Sequence, residues 1–335
     1  MARGSDVAIR VLVTGGTGFV GSRLVAALVE RGDAVRVLRR ASSGVQALRG
    51  LPVEHCLGDI LDEAAVDEAV AGCDLVFHVA GSASYWRSSR SAVYRTNVDG
   101  TRVVVQACLR AGVTRVVYTS SVAAVGIRRD RSPADETVPF DALSATFAYA
   151  DSKHRGEGEV GRAVAQGLDA VIVNPGVVIG AGDHNLISGS LIVEFARGHV
   201  PAVLPGGMCI ADVDAVVKGQ LAAAERGRCG ERYILGGENL SHREITAIIG
   251  DVVGRRPPVL SLPGWALGPA AYAVNAFNRL NPRPPIVSGD QIRLGAIGFY
   301  FDSTKAVREL AYPLMPCRGA VAKAYHWYAD HGYLR

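Results

Sequence analysis

One stretch constrains the fold more than any other. Val11-Leu12-Val13-Thr14 is a run of apolar and β-branched residues, and Gly15-Gly16-Thr17-Gly18-Phe19-Val20-Gly21 follows it directly. The run has the character of a buried parallel strand, and Ser22 to Glu30 then carries apolar residues at helical spacing. Between the two, Gly15, Gly18 and Gly21 stand three apart. That spacing suits a chain that must turn tightly, bring bare backbone against a pyrophosphate, and seat a helix close on a strand. Amides at the start of the helix would then face phosphate oxygens. A glycine turn joining strand to helix without any ligand is the structural alternative.

The elements beyond repeat the same alternation. Strands are expected at 34–38, 53–57, 75–79, 115–119 and 168–173, with helices at 64–71, 97–111 and from near 145, which is the pattern of a doubly wound parallel sheet. After Asn174-Pro175-Gly176 the alternation loosens. The expected division is therefore a dinucleotide-binding Rossmann domain over 1–182, to which 211–236 returns, and a substrate-binding lobe made of 183–210 and 237–335. A chain of 335 residues is long enough for both.

The second strand ends in Arg39-Arg40. A carboxylate at that position holds the ribose hydroxyls of NAD, whereas arginine accommodates the extra phosphate of NADP, so NADP(H) is favoured and NAD(H) stays open. Ser42 and Ser43 add hydroxyl donors. At the carboxyl ends of later strands lie Asp59-Ile60, Val79-Ala80-Gly81 and the loop holding Ser82, Tyr85, Trp86 and Tyr94, where open α/β sheets place ligands. Ser82, Tyr85, Trp86 and Asn174 are the candidate substrate contacts, although the aromatic residues would equally cap the core.

Chemistry enters with Ser121, Tyr149 and Lys153. Tyr149 and Lys153 are four apart, so on a helix they share a face. A phenol beside an ammonium, opposite a hydroxyl at a strand end, is a proton-transfer unit in which the cation lowers the phenol pKa and Ser121 holds the substrate oxygen. Lysine is scarce here, with only Lys153, Lys218, Lys305 and Lys323.

With the glycine turn, Asp59-Ile60, Ala80-Gly81, Asn97, Ser121, Tyr149 and Lys153 in that order, the chain resembles the extended short-chain dehydrogenase/reductases of the NAD-dependent epimerase/dehydratase family. Within them it is similar to the dihydroflavonol-4-reductase-like proteins, above all the group labelled hopanoid-associated sugar epimerases, through Val116–Ala123, Glu231–Leu240 and Asp330–Leu334. The resemblance implies that Gly15, Thr17, Gly18, Phe19, Val20 and Gly21 hold the pyrophosphate and that Asp59 and Ile60 flank the adenine. It further implies that Val79, Ala80 and Gly81 line the cofactor, that Asn97 supports it and the active-site helix, and that Pro175 and Val178 lie beside the nicotinamide. Ser121, Tyr149 and Lys153 become the catalytic set. Sugar-nucleotide dehydratases of this superfamily carry Asp-Glu after the catalytic hydroxyl, and here Val122-Ala123 stands instead, which disfavours dehydration. The segment 183–189 departs from the hopanoid-associated pattern, so the substrate does not carry over.

The expected activity is NADPH-dependent reduction of a ketone or aldehyde, with an NAD-dependent sugar-nucleotide epimerase as the rival and a non-catalytic dinucleotide-binding sensor or scaffold as the reading of another class. For the rival, Arg243, Arg255, Arg256 and Arg293 are candidate diphosphate contacts, with surface solvation the plainer account of each. The expected partner is a small carbonyl or alcohol, apolar or otherwise, or a sugar nucleotide, and a homodimer is open. A formal net charge of +4 is too small to argue for nucleic acid or an anionic membrane. Six scattered cysteines, Cys56, Cys73, Cys108, Cys209, Cys229 and Cys317, show no metal or redox spacing, so no metal is expected and the setting is read as cytoplasmic. No signal peptide is read at 1–10. The most apolar later run, 260–277, is too broken by proline and glycine to span a bilayer. Buried helix packing is favoured for it over a hydrophobic lid or a membrane-touching patch.

Overall fold

The structure, a computed structural model, describes residues 9–82, 89–141, 144–280 and 289–334. Its centre is a seven-stranded parallel sheet of β1 (Arg10–Thr14), β2 (Ala34–Arg39), β3 (Glu54–Leu57), β4 (Leu75–His78), β5 (Arg115–Thr119), β6 (Ala170–Pro175) and β9 (Arg232–Leu235). The strand order is β3-β2-β1-β4-β5-β6-β9, so the winding direction reverses between β1 and β4. The crevice at the carboxyl ends of those two strands is where such sheets bind ligands.

Both faces of the sheet are covered, which is why its strands are apolar throughout rather than alternating. Val11, Val13, Phe77, Val117, Val171 and Val173 pack to one side with α1 (Phe19–Glu30) and α7 (Val213–Arg226). Leu12, Val76, Val116, Tyr118 and Ile172 pack to the other with α2 (Glu63–Val70), α4 (Gly100–Ala111) and α5 (Ala148–Ala165). Successive residues of one strand thus serve two cores.

A second sheet builds the lobe around β8 (Gly207–Asp212), which pairs antiparallel with β10 (Glu238–Ser241) and parallel with β7 (Val177–Ile179) and β11 (Gly298–Phe299). Against it pack α6 (Ser190–Arg197), α8 (His242–Val253) and α12 (Cys317–Asp330) through Ile192, Phe195, Ile249 and Val321. The remaining helices are α3 (Arg90–Tyr94), α9 (Leu267–Leu280), α10 (Gly289–Leu294) and α11 (Thr304–Leu310).

One strand pairing crosses the expected domain division, and two element boundaries differ from expectation. The lobe sheet takes in β7 and the last two residues of β8, because Val177–Ile179 pairs with Ile210–Asp212 rather than with the main sheet. The helix expected at 97–111 begins earlier, α3 leading through a π-helical segment at Arg95–Asp99 into α4. The helix carrying Tyr149 begins at Ala148, behind a separate turn at Ser144–Thr146.

Candidate active site

The glycine turn is built so tightly that side chains are excluded. Gly15 has φ +70°, and a Cβ there would lie 2.6 Å from the Ala80 amide nitrogen at the end of β4. A Cβ on Gly21 would lie 2.1 Å from the Gly15 carbonyl oxygen. Gly15 therefore permits the turn and its approach to β4, while Gly21 lets α1 close onto it. Gly18 is the N-cap of α1, with no side chain capping the first amides and no acidic residue in the first turn. A helix start left positive and bare in this way fits a diphosphate. Phe19 is buried and Val20 half-buried against the core, so these two offer backbone to the crevice, and Thr17 is half-buried in the turn.

A relay of hydrogen bonds runs from this turn into the body of the site. The Ala80 amide donates to Thr14 Oγ1 at 3.2 Å, and Thr14 Oγ1 lies 2.7 Å from His78 Nδ1. His78 Nε2 lies 3.1 Å from Thr101 Oγ1, which donates to the Asn97 carbonyl at 2.8 Å. Because the Thr101 proton is committed to Asn97, Nε2 must carry the imidazole proton and Nδ1 must accept from Thr14. Burial, with the Lys153 charge adding to it, pushes the His78 pKa down to about 3 and keeps the ring neutral, as this direction of donation requires.

Asn97, buried in the π-helical segment, passes the connection on. Its Oδ1 accepts from the Ser82 amide at 2.7 Å, and its Nδ2 donates to the Ser82 carbonyl and to Ser152 Oγ at 2.9 Å. Ser152 Oγ in turn donates to the Tyr149 carbonyl at 2.8 Å. One side chain thus ties the end of β4 to the first turn of α5. Sequence reading identified Asn97 but missed His78, Thr101 and Ser152, whose only signal was a polar residue inside an apolar strand or helix.

Ser121 follows β5, Tyr149 bonds to it from the first turn of α5, and Lys153 stands one turn further along that helix with its Nζ on the end of β5. Ser121 Oγ accepts the Ala123 amide at 3.1 Å, which leaves the hydroxyl proton free to point toward Tyr149. A hydrogen bond joins the Ser121 and Tyr149 side chains, and it opposes the rise that burial imposes on the half-buried phenol. Lys153 is buried, with Nζ donating to the Thr119 carbonyl at 2.8 Å and standing 5.2 Å from the Tyr118 ring. Loss of solvent brings its pKa down to about 8, against the pull of Glu157. The ammonium is therefore still mostly charged at neutral pH. Gly81 gives it room, since a Cβ there would sit 3.0 Å from Nζ.

Asn174 is placed differently from the substrate contact expected of it. It is fully buried, its Nδ2 donating to the Ser121 carbonyl at 2.9 Å and to Glu157 Oε1 at 2.6 Å. With no exposed surface and both amide protons spent, the side chain supports the Ser121 strand end. Glu157, whose pKa burial raises, is held by Arg232 Nη1 at 3.1 Å. Pro175 and Val178 are buried at the ends of β6 and within β7, and Val79 bonds its amide to the Thr14 carbonyl.

Ile60 is buried against Gly100 at the start of α4, and Asp59 Oδ1 accepts the Leu61 amide of its own turn at 3.0 Å. Arg39 is half-buried, donating to His55 Nδ1 at 3.3 Å, and Arg40 is exposed. Neither is paired with a carboxylate among the described residues. Tyr94 bonds Asp151 and is flanked by Arg90 and Arg155, each 5.4 Å from its ring, so it is engaged by its own helices. Tyr85 and Trp86 lie outside the described residues. No group of His, Cys, Asp or Glu among the described residues is arranged to hold a metal ion, and no described helix is long and apolar enough to cross a membrane.

Residues 11–236 match the NAD dependent epimerase/dehydratase family. A Synechocystis protein named "Putative dihydroflavonol 4-reductase" is 40% identical over 330 residues, covering 96% of this chain and 95% of that protein. The "Sterol demethylase protein B" of Methylococcus capsulatus is 34% identical, with 96% and 98% coverage. Among solved structures, gox2253 superposes with a TM-score of 0.87 at 37% identity over 97% of this chain and 99% of its own. PA4631, described as a nucleoside-diphosphate-sugar epimerase from Pseudomonas aeruginosa, superposes at 0.81 with 26% identity over 98% and 100%. The bare glycine turn and the assembled Ser121, Tyr149 and Lys153 thus sit in a chain that belongs to the NAD-dependent epimerase/dehydratase family, an oxidoreductase of Rossmann fold.

Proposed function

We propose that this protein reduces the carbonyl group of a small ketone or aldehyde to an alcohol, using NADPH. The observation that carries the reading is the hydrogen-bonded Ser121 and Tyr149 pair beside the buried Lys153 ammonium, at the strand ends that face the glycine turn. When NADPH is bound, the chemistry drawn from it is a hydride for the carbonyl carbon. Ser121 donates to the carbonyl oxygen and orients it. Tyr149 delivers the proton to that oxygen as the C–H bond forms, so hydride and proton together convert carbonyl to alcohol. Lys153 holds the nicotinamide ribose and favours the phenolate left on Tyr149, which is reprotonated from solvent. Asn97 and Ser152 hold the first turn of α5, and Asn174 holds the backbone of Ser121, so the three groups keep their mutual placement.

For the cofactor, Arg39 and Arg40 stand without a carboxylate partner among the described residues at the end of β2, where a 2′-phosphate would lie. The names of the two sequence relatives, a dihydroflavonol reductase and a sterol demethylase protein, favour an apolar substrate over a sugar nucleotide. The second reading, a sugar-nucleotide epimerase, draws support from the likeness to PA4631 and from exposed Arg243, Arg255 and Arg256 in the lobe.

A panel of carbonyl compounds and sugar nucleotides, followed by nicotinamide absorbance together with product analysis, separates the two, because epimerisation leaves no net absorbance change. Tyr149→Phe is expected to lower turnover by roughly 10²–10⁴-fold with NADPH still bound. Unchanged turnover removes the mechanism, and an absence of turnover in the parent on every substrate returns the protein to the sensor or scaffold class. Arg39→Ala with Arg40→Ala is expected to weaken NADPH by about tenfold or more with little effect on NADH. An NADH preference in the parent sinks the arginine argument.

A further inference from the structure

The lobe carries a helix turned inside out. Along Trp265, Pro269, Tyr272, Ala276 and Leu280 the spacing is four, three, four and four, so these residues share one face, and Gly268, Ala273 and Phe277 flank it. Every one of them is exposed. Trp265 is 82% exposed, Tyr272 76%, Phe277 64% and Leu280 86%. Two polar residues of α9, Asn275 and Asn278, lie on the opposite side. Asn278 is buried, and Asn275 is half-buried with its Oδ1 accepting the Gly289 amide at 2.9 Å. Leu267 and Ala271 complete the inward face against Ile292 and Leu204.

Two more apolar side chains are exposed on the segment before the helix. Val259 is 91% exposed and Leu260 59%, on a segment fixed to the lobe by the Leu260 carbonyl accepting the Val203 amide and the Leu262 amide reaching the Val203 carbonyl. Directly before them, exposed Arg255 and Arg256 line a shallow cleft of about 270 Å³ with Pro258 and Phe195. Between Asp251 and Asp290 the sequence holds four arginines, Arg255, Arg256, Arg279 and Arg283, and no acidic residue. Aromatic and aliphatic side chains outward, Asn275 and Asn278 inward, and exposed Arg255 and Arg256 at the start of the segment match the interface of an anionic bilayer. A helix of 14 residues is too short to cross one, so it would lie in the headgroup plane.

We propose that the 255–280 surface docks this protein on anionic lipid bilayers, with Trp265, Tyr272, Phe277 and Leu280 buried among the acyl chains and Arg255 and Arg256 against lipid phosphates. The inference rests on the exposed face of α9 and stands whether or not the reaction proposed above is correct.

The test is sedimentation of the full chain with vesicles of phosphatidylcholine alone and with phosphatidylglycerol added, at rising salt, alongside its mass in solution. Binding to the phosphatidylglycerol vesicles that weakens as salt rises is the expected result. The triple variant Trp265→Ser, Phe277→Ser, Leu280→Ser is expected to bind ~10-fold or more weakly while remaining folded by circular dichroism. Arg255→Gln with Arg256→Gln is expected to flatten the salt dependence and keeps the proposal testable if the triple variant misfolds. Three results overturn it. One is no binding to either vesicle, another is equal binding to both that ignores salt, and the third is a stable dimer that the triple variant dissolves without any vesicle binding in the parent.

Discussion

Two helices of this protein dispose of their polar and apolar residues in opposite ways. In α5, buried polar groups each pass to a named partner: Ser152 to Asn97 and Tyr149, Lys153 to Thr119, Glu157 to Asn174 and Arg232. In α9 the polar Asn275 and Asn278 turn inward and the aromatic residues turn out. Burying polar groups is costly unless each is paired, and leaving Trp265 or Phe277 in water forgoes about 1.5–3 kcal/mol apiece. A chain keeps the first arrangement to hold reacting groups in place. It keeps the second where something other than water meets the surface. The same helical period therefore serves an internal site in one half and an external one in the other.

The sharpest way to break that comparison is at the turn that anchors the internal site. Gly21→Ala puts a Cβ 2.1 Å from a backbone oxygen that no rotamer change can move. It is expected to cost about 2 kcal/mol or more of stability and most of the NADPH affinity, read by denaturant unfolding and cofactor titration. An alanine variant with parental affinity means the turn does not hold the pyrophosphate.

A smaller effect comes from pH. His78 is neutral in the folded chain with its pKa brought to about 3, whereas the unfolded chain takes up a proton near 6.5. Its stabilising contribution is full above about pH 6.5 and is lost as pH falls from there toward 3. Between pH 7 and 5 the loss is expected to be on the order of 2 kcal/mol, visible as a lower urea midpoint. His78→Asn should be less stable at pH 7 and show a shallower fall. An equal fall in the variant assigns the acid sensitivity to other groups.

The smallest effect is expected at the external site. Trp265→Ser or Phe277→Ser should shift folding stability by no more than about 0.5 kcal/mol in the absence of lipid, because these side chains make little contact within the chain. A loss of several kcal/mol on thermal unfolding would show that the face is covered in solution and would narrow the contrast with α5.

Much of this was written locally in the chain. Gly15, Gly18 and Gly21 announce a turn because three-residue spacing in a glycine loop is a property of the backbone itself, and Tyr149 and Lys153 share a face because a helix repeats every 3.6 residues. The strictly alternating strands and helices likewise pointed to the parallel sheet, through short-range period alone. Other features required partners distant in sequence. The burial of Asn174 and its bonds to Ser121 and Glu157, 53 and 17 residues away, were not legible in the sequence. His78 and Thr101 gained meaning only when β4 met the helix after Asn97. Periodicity placed the apolar residues of α9 on one stripe, yet a stripe does not say which way it faces. Its inward side was decided by Leu204, Ile292 and the Gly289 amide, none of which lies within the helix. Local backbone geometry set the turn and the helical faces, and long-range packing decided which of those faces met the core, the substrate crevice or the outside.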